Sequence, residues 1–143
     1  MSAGENARSP RRGSKDRQKA WQGGRWAESL AALRLRCSGY TILARNWRSP
    51  VGEIDIIARR GRVLAIIEVK RRAERTTALA AISPRQQARL VRAALAFQAS
   101  HADCAALNLR FDVVTLGSGP LGGGLGAGLW PHHLKDAWRP GAE

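Results

Sequence analysis

Residues 52 to 70 read Gly-Glu-Ile-Asp-Ile-Ile-Ala-Arg-Arg-Gly-Arg-Val-Leu-Ala-Ile-Ile-Glu-Val-Lys, two apolar runs split by a polar, glycine-containing break. The pattern predicts two antiparallel strands joined by a tight turn, and runs this apolar belong to central strands covered on both faces. Side chains alternate along a strand. Asp55 and Ile57 therefore share one side of the first strand, and Glu68 and Lys70 share one side of the second. Closing the turn around Arg59 to Arg62 sets Ala58 opposite Val63 and Asp55 opposite Ile66. Diagonal neighbours on one face lie within about 8 Å, so Asp55 and Glu68 converge.

Two carboxylates at one spot can hold a hard divalent cation, and Lys70 can reach a water or phosphate beside it. That is the equipment of a metal-dependent phosphodiesterase. A solvated cross-strand salt bridge uses the same residue types and contributes roughly 0.2 to 1 kcal/mol. Against that alternative, Asp55 stands among Ile54, Ile56 and Ile57, and Glu68 follows the run Val63 to Ile67. An unpaired charge in such strands is costly. The shared face depends on the turn, because a bulge within Arg59 to Arg62 sends Asp55 to the other side.

Charge narrows the partner. The 143 residues carry 24 Lys and Arg against 11 Asp and Glu, a formal net charge of +13. That balance favours a polyanion, nucleic acid first and an anionic membrane surface second. No apolar run approaches the ~20 residues needed to span a bilayer. The basic N-terminus lacks the apolar core of a signal peptide, so a cytoplasmic protein is expected. Two cysteines, Cys37 and Cys104, are too few for a disulfide framework or a thiolate zinc site.

Along the chain, residues 1–18 form a basic arm expected to be disordered, and residues 19–116 form the folded domain. A helix from Gln18 to Cys37 ends at Ser38-Gly39, where glycine takes the left-handed cap. Trp26, Leu30, Leu33 and Cys37 make its bulky stripe. Glu28 lies on the opposite face with Gly24, Ala31, Ala32 and Leu35, a weakly apolar face that can turn toward the body of the protein. A lone helical glutamate is more often solvated. Tyr40 to Trp47 reads as a strand, and Arg71 to Thr77 as a polar loop. Ser83, Pro84 and Gln86 open a second helix with a cap, a proline in the first turn and a capping box. Its broad packing face takes in Ala88, Val91, Ala94 or Leu95, and Gln98, alternating with Leu90 and Phe97. Arg85, Arg89 and Arg92 occupy or flank the wet side. Leu109 to Leu116 is a further strand, in which Asp112 suits a structural pairing with an arginine or a loop cap. Gly117-Ser118-Gly119-Pro120-Leu121-Gly122 has dinucleotide-loop spacing. Pro120, the continuing glycines and the missing helix remove its anion-binding geometry. Residues 117–128 are therefore read as a linker. Residues 129–143 are read as a closing segment packed on the domain, with a helical turn through His133 to Trp138. His132 and His133 suit surface or packing roles. The element order predicts an α/β domain with a mixed sheet.

The ordered set Gly24-Arg25-Trp26-Ala27-Glu28, Arg45-Asn46-Trp47-Arg48, Gly52-Glu53-Ile54-Asp55, Glu68-Val69-Lys70 and Arg110-Phe111-Asp112-Val113-Val114 resembles the YraN-like family. That family belongs to the PD-(D/E)XK nuclease superfamily and is similar to archaeal Holliday junction resolvases. The resemblance runs from about Gly24 through Val114 and resumes around Lys135 to Trp138. It implies a restriction-endonuclease-like domain, with a central mixed β-sheet flanked by helices. It implies Asp55 and Glu68 as metal ligands, with the Val69 backbone carbonyl as a further oxygen ligand. Lys70 orients the attacking water or stabilises the charge that builds on the phosphate. Glu28 matches the acidic residue on the first helix that approaches the metal in the resolvase relatives. Ile54 stands where the superfamily name places a proline, a departure with little consequence because proline is no ligand. Gln86 and Gln87 fall where some relatives use a polar helix residue near the site.

An all-oxygen site suits Mg²⁺ or Mn²⁺ better than zinc. Arg59, Arg60, Arg62, Arg71, Arg72 and Arg75 bracket the acidic centre in sequence, a collar that can offset carboxylate repulsion of DNA. Arg45 and Arg48 can touch a backbone, or an unstacked base beside Trp47. The expected activity is Mg²⁺- or Mn²⁺-dependent endonucleolytic hydrolysis of DNA. The resolvase resemblance adds branched DNA and a homodimer with two cutting centres. Charge alone permits duplex DNA, single strands or RNA. Two alternatives stay open: a nucleic-acid-binding module without efficient catalysis in a DNA-processing assembly, and a structural protein that uses its basic surface to reach a partner.

Overall fold

The computed structural model describes residues 12–71, 82–116 and 130–141. In chain order it contains α1 (Arg12–Cys37), β1 (Thr41–Ser49), β2 (Gly52–Arg60), β3 (Val63–Arg71), α2 (Pro84–Ser100), a short 3-10 turn (Ala102–Cys104), β4 (Asn108–Leu116) and β5 (His132–Trp138). The strands form one sheet in the order β1-β2-β3-β4-β5. β3 and β4 are parallel and the other neighbours antiparallel. A tight turn cannot join parallel strands, so the chain crosses over through α2. The result is an α/β, restriction-endonuclease-like domain with a central mixed sheet and a helix on each face.

Each helix buries a different stripe. Leu90, Ala93, Ala94 and Phe97 of α2 pack with Ile54, Ile57, Leu64, Ile66, Phe111 and Val113 on one face of the sheet. Ala31, Ala32 and Leu35 of α1 pack with Ile56, Ala58, Ala65, Ile67 and Val114 on the other. Burying each Leu, Ile or Phe contributes about 1.5–3 kcal/mol. Ala88, assigned above to the packing side of α2, is exposed, and of the alternatives Ala94 and Leu95 it is Ala94 that is buried. Arg85, Arg89 and Arg92 are exposed as predicted. On α1 the small-residue face turns inward and carries Glu28 at its margin. The bulky stripe turns out, leaving Trp26 55% and Leu33 46% exposed. Small side chains let this helix lie close to the sheet, so bulk alone misidentifies its packing face. α1 begins at Arg12, inside the arm expected through residue 18, and residues 1–11 lie outside the described residues. It closes with a glycine cap: Gly39 has φ +86, Tyr40 N donates to Leu35 O, and Gly39 N donates to Arg36 O.

Two local expectations need correction. The hairpin turns on Gly61 and Arg62 alone, with φ +59 at Gly61, so Val63 pairs Arg60 and Ala65 pairs Ala58. The register differs from the expected one by two residues, an even shift that by itself turns no side chain over. The closing segment is a strand and not a helical turn. β5 pairs antiparallel with β4 through His132 to Trp138. Its conformation is imposed by the partner strand, which would otherwise be an open edge.

Asp112 ties this edge together. Its buried carboxylate accepts from Arg110 Nε and Nη2 at 2.8 and 2.7 Å, from His133 Nε2 at 2.8 Å and from the Asp136 amide at 2.9 Å. Burial pushes its pKa up, but these donors outweigh burial and hold it below the ordinary carboxylate value. The predicted arginine pairing is therefore present, and His133 is a buried packing and bonding residue. Cys37 is exposed and Cys104 buried, both as free thiols. Among the described residues, no helix is long and apolar enough to cross a membrane. The glycine-rich stretch 117–128 lies outside the described residues.

Candidate active site at the parting of two strands

The acidic centre forms where β2 leaves β3. Their registered pairing ends at Ile56 and Ile67. One step further, Asp55 Oδ2 accepts the Val69 amide hydrogen at 2.8 Å. A side chain thus satisfies a strand amide at the point where the ladder stops. The side-chain alternation of β2 also slips here. Ile54 and Ile57 both belong to the α2 side, while Ile56 belongs to the α1 side. In β1, Arg45 pairs Ile56 and Trp47 pairs Ile54, so Asn46 stands across from Asp55, with φ +49. Asparagine tolerates this left-handed conformation better than most residues. The irregularity predicted as a hazard near the turn therefore sits at the acid itself, and it aims Asp55 into the gap between strands.

Glu68 meets Asp55 there closely enough for the two carboxyl groups to share a hydrogen bond. Lys70 Nζ lies 3.6 Å from Glu68 Oε1, with the two side chains 16% and 15% exposed. Gln86 Nε2, in the first turn of α2, donates to the same Glu68 oxygen at 3.1 Å. That turn is fixed by Ser83 Oγ, which accepts from Gln86 N at 3.2 Å. A pocket of about 300 Å³ opens over the pair, lined by Gly52, Glu53, Asp55, Glu68, Gln86, Arg89 and Leu90. α2 passes close over Gly52, where a Cβ would lie 3.4 Å from the Arg89 carbonyl oxygen.

The electrostatics follow from crowding. Burial and the Asp55 charge push Glu68 up to about 7 against the pull of Lys70. Burial also raises Asp55, which the Val69 amide, Glu68 and Lys70 offset in part. Glu28 is half-buried on α1, and its Oε2 accepts a hydrogen bond from Asn46 Nδ2 at 2.6 Å. Burial raises it, the Asn46 hydrogen bond opposes, and the Asp55 charge adds a further upward push. Glu28 is thus within electrostatic reach of Asp55 from the helix on the other sheet face.

The basic residues divide differently from the expectation. Arg59, Arg60 and Arg62 sit at the hairpin tip. Five residues of strand separate Asp55 from Arg60, which at 3.3 Å per residue is roughly 17 Å. Arg59 Nε donates to Gly61 O at 3.1 Å, and the Arg60 guanidinium lies 5.8 Å from the Tyr40 ring centre. These three bracket the acids in sequence but not in space. Arg45 Nη2 donates to Ser29 Oγ at 2.9 Å, and Arg48 pairs with Glu53 at 2.8 Å. Trp47 packs edge-on against Phe97, as a core residue. The Arg71 side chain, Arg72 and Arg75 lie outside the described residues. Gln87 bonds the Ile82 carbonyl and takes no part in the site. Two contributors escaped the sequence reading of the site. Asn46 was legible only as part of a motif. Arg89 offered one signal, its place on a helix without an acidic residue.

Among the described residues, no three His, Cys, Asp or Glu side chains gather as a ready metal cage. The two touching carboxylates nevertheless fit a hard cation. They are short of positive charge, supply oxygen alone, and Mg²⁺ commonly takes one or two carboxylates and completes its octahedron with water and substrate oxygens.

Comparison with known proteins covers this whole constellation. The model of the uncharacterised protein family UPF0102 matches residues 27–116, which contain Glu28, Asp55, Glu68, Lys70 and Gln86. A UPF0102 protein of Parvibaculum lavamentivorans is 47% identical over 121 residues, covering 85% of this chain and 84% of its own. One from Maricaulis maris is 43% identical over 125 residues, with 87% and 91% covered. A third, from Bradyrhizobium diazoefficiens, is 43% identical over 116 residues, with 81% and 87% covered. With two-thirds and more of each relative spanned, and the family match running from the first helix to the fourth strand, this chain belongs to the UPF0102, or YraN-like, family.

Proposed function

We propose that this protein is a metal-dependent endonuclease that hydrolyses DNA phosphodiester bonds at the Asp55–Glu68 pocket. The observation that carries the reading is the contact between two partly buried carboxyls, both raised in pKa, with Lys70 alongside. Structural ion pairs seldom set two acids against each other at a pocket, whereas sites that recruit a cation do. Asp55 and Glu68 would hold Mg²⁺ or Mn²⁺, with the Val69 carbonyl as a further oxygen. Such a cation would supply a water of lowered pKa and neutralise charge on the scissile phosphate. The Val69 amide fixes Asp55, and Gln86 fixes Glu68. Lys70 stabilises negative charge as the phosphate becomes five-coordinate. Glu28, held by Asn46, adds a carboxylate at the margin that can orient a water. The resolvase resemblance adds branched DNA as substrate and a homodimer as the cutting unit.

A second reading, a binding module without efficient catalysis, is favoured by the two-carboxylate count among the described residues. Single-turnover cleavage of branched, duplex and single-stranded DNA with Mg²⁺ or Mn²⁺ separates the two. The nuclease cuts at least one substrate and loses activity in Asp55→Asn and Glu68→Gln. Binding without cleavage of any substrate selects the module. Cleavage undiminished in both variants places the chemistry elsewhere.

A further inference from the structure

We infer that the exposed face of α2 is the track along which the phosphodiester backbone of the substrate reaches the pocket. The inference rests on the reading of that pocket as a nucleic-acid site, and it names a surface outside the expected collar. Arg85, Arg89 and Arg92 are all exposed. At 3.6 residues per turn they fall within about 60° of arc and cover roughly 10 Å of helix axis. Arg89 lines the same pocket as Asp55 and Glu68, and Gln86 of the same helix bonds Glu68.

The stripe has no internal counter-charge. α2 contains no Asp or Glu along Pro84–Ser100. Among the described residues, none of the three arginines forms an ion pair; Arg92 Nε turns back to the Ala88 carbonyl at 3.4 Å. Their placement also opposes the helix's own electrostatics. Arg85 stands in the first turn, at the positive end of the dipole, while the last turn carries no basic residue. Like charges three and four residues apart repel further. Helix stability therefore does not account for the pattern, and an external polyanion does. By contrast, Arg48 on β1 already pairs with Glu53.

The test is fluorescence anisotropy with a labelled DNA duplex of about 20 base pairs, in EDTA so that no cleavage intrudes, across salt concentrations. The variants are a triple Arg85→Gln, Arg89→Gln, Arg92→Gln and a control triple Arg59→Gln, Arg60→Gln, Arg62→Gln. Each lost phosphate contact removes about 0.9 from the slope of log affinity against log salt. The α2 triple is expected to lose about 2 to 3 in slope and at least about tenfold in affinity at ~0.1 M salt. The control triple loses less than about 1. Lysines at the three α2 positions keep the slope, because the contact is one of charge. Should the glutamine triple fail to fold, Arg89→Gln alone decides, with an expected slope loss of about 1. An unchanged slope in the α2 variants, a larger loss in the control, or wild-type protein that does not bind overturns the track. Wild type that binds through α2 yet cuts nothing sinks the nuclease and leaves the track standing. Cleavage with binding indifferent to α2 does the reverse.

Discussion

Replacing Glu68 by glutamine is expected to stabilise the metal-free protein at pH 8 and leave it unchanged at pH 4.5. In the folded protein burial and Asp55 hold the Glu68 carboxyl at about 7, above its ordinary 4.5. A raised carboxyl favours the fold while it is protonated. Its contribution is complete below about pH 4.5 and is lost as pH rises through 7. At about 1.4 kcal/mol per pH unit, the gap between the two values bounds the loss at about 3.5 kcal/mol. Glutamine keeps an oxygen for Gln86 and never ionises, so it escapes that loss. It also removes the charge facing Lys70, which trims the gain to about 2 kcal/mol at pH 8. For a chain of this length, about 2 kcal/mol corresponds to roughly 4–8 °C in Tm. Urea melts in EDTA at pH 4.5, 6 and 8 measure it directly. Wild type should weaken across the series while Glu68→Gln stays flatter, and Mg²⁺ should restore wild type at pH 8 but not the variant. Parallel pH profiles for the two proteins would refute the crowded-carboxyl account.

Asp55→Asn is expected to lose Mn²⁺ binding by calorimetry and on the order of 100-fold in single-turnover cleavage, while its salt-titrated DNA affinity changes far less. Lys70→Ala should likewise slow the chemical step by roughly 100-fold and move DNA affinity by less than about tenfold, read from the same two assays. Asp112→Ala strands Arg110 and buried His133 and should cost about 3–5 kcal/mol in urea melts. Because its pKa is depressed from 3.8, the wild-type contribution of Asp112 persists above that pH and fades only as pH falls through the lower folded value. Light scattering with and without a four-way DNA junction should find two protomers per junction. A single protomer in every complex removes paired cutting and leaves a simple nuclease.

What could be read from the chain and what could not have a common physical cause. The Asp55–Glu68 contact was legible because strand parity survives a register error of two residues: Val63 was set against Ala58, it pairs Arg60, and an even shift turns no side chain over. The change of face at Ile54 comes instead from the irregularity at Asp55. Asp112 was legible because a lone acid beside an arginine on a buried strand has few other solutions. The hairpin-tip part of the arginine collar, Arg59, Arg60 and Arg62, was set too near the acids because adjacency in sequence was taken for adjacency in space, and an extended strand separates Arg60 from Asp55 by about 17 Å. A helix compresses the same distance. Arg89 is 21 residues past the Glu68 motif in sequence and yet lines its pocket, because the crossover required by parallel β3 and β4 returns α2 across the sheet. Asn46 was hidden for a different reason. Its left-handed backbone is set by the strand opposite, and its bond to Glu28 joins elements 18 residues apart. Alternation along one strand therefore locates the acids, while the residues that hold and surround them come from the crossover and from the break in the ladder. Substitutions at Asn46 and Arg89 accordingly probe tertiary geometry, and those at Asp55 and Glu68 probe the chemistry itself.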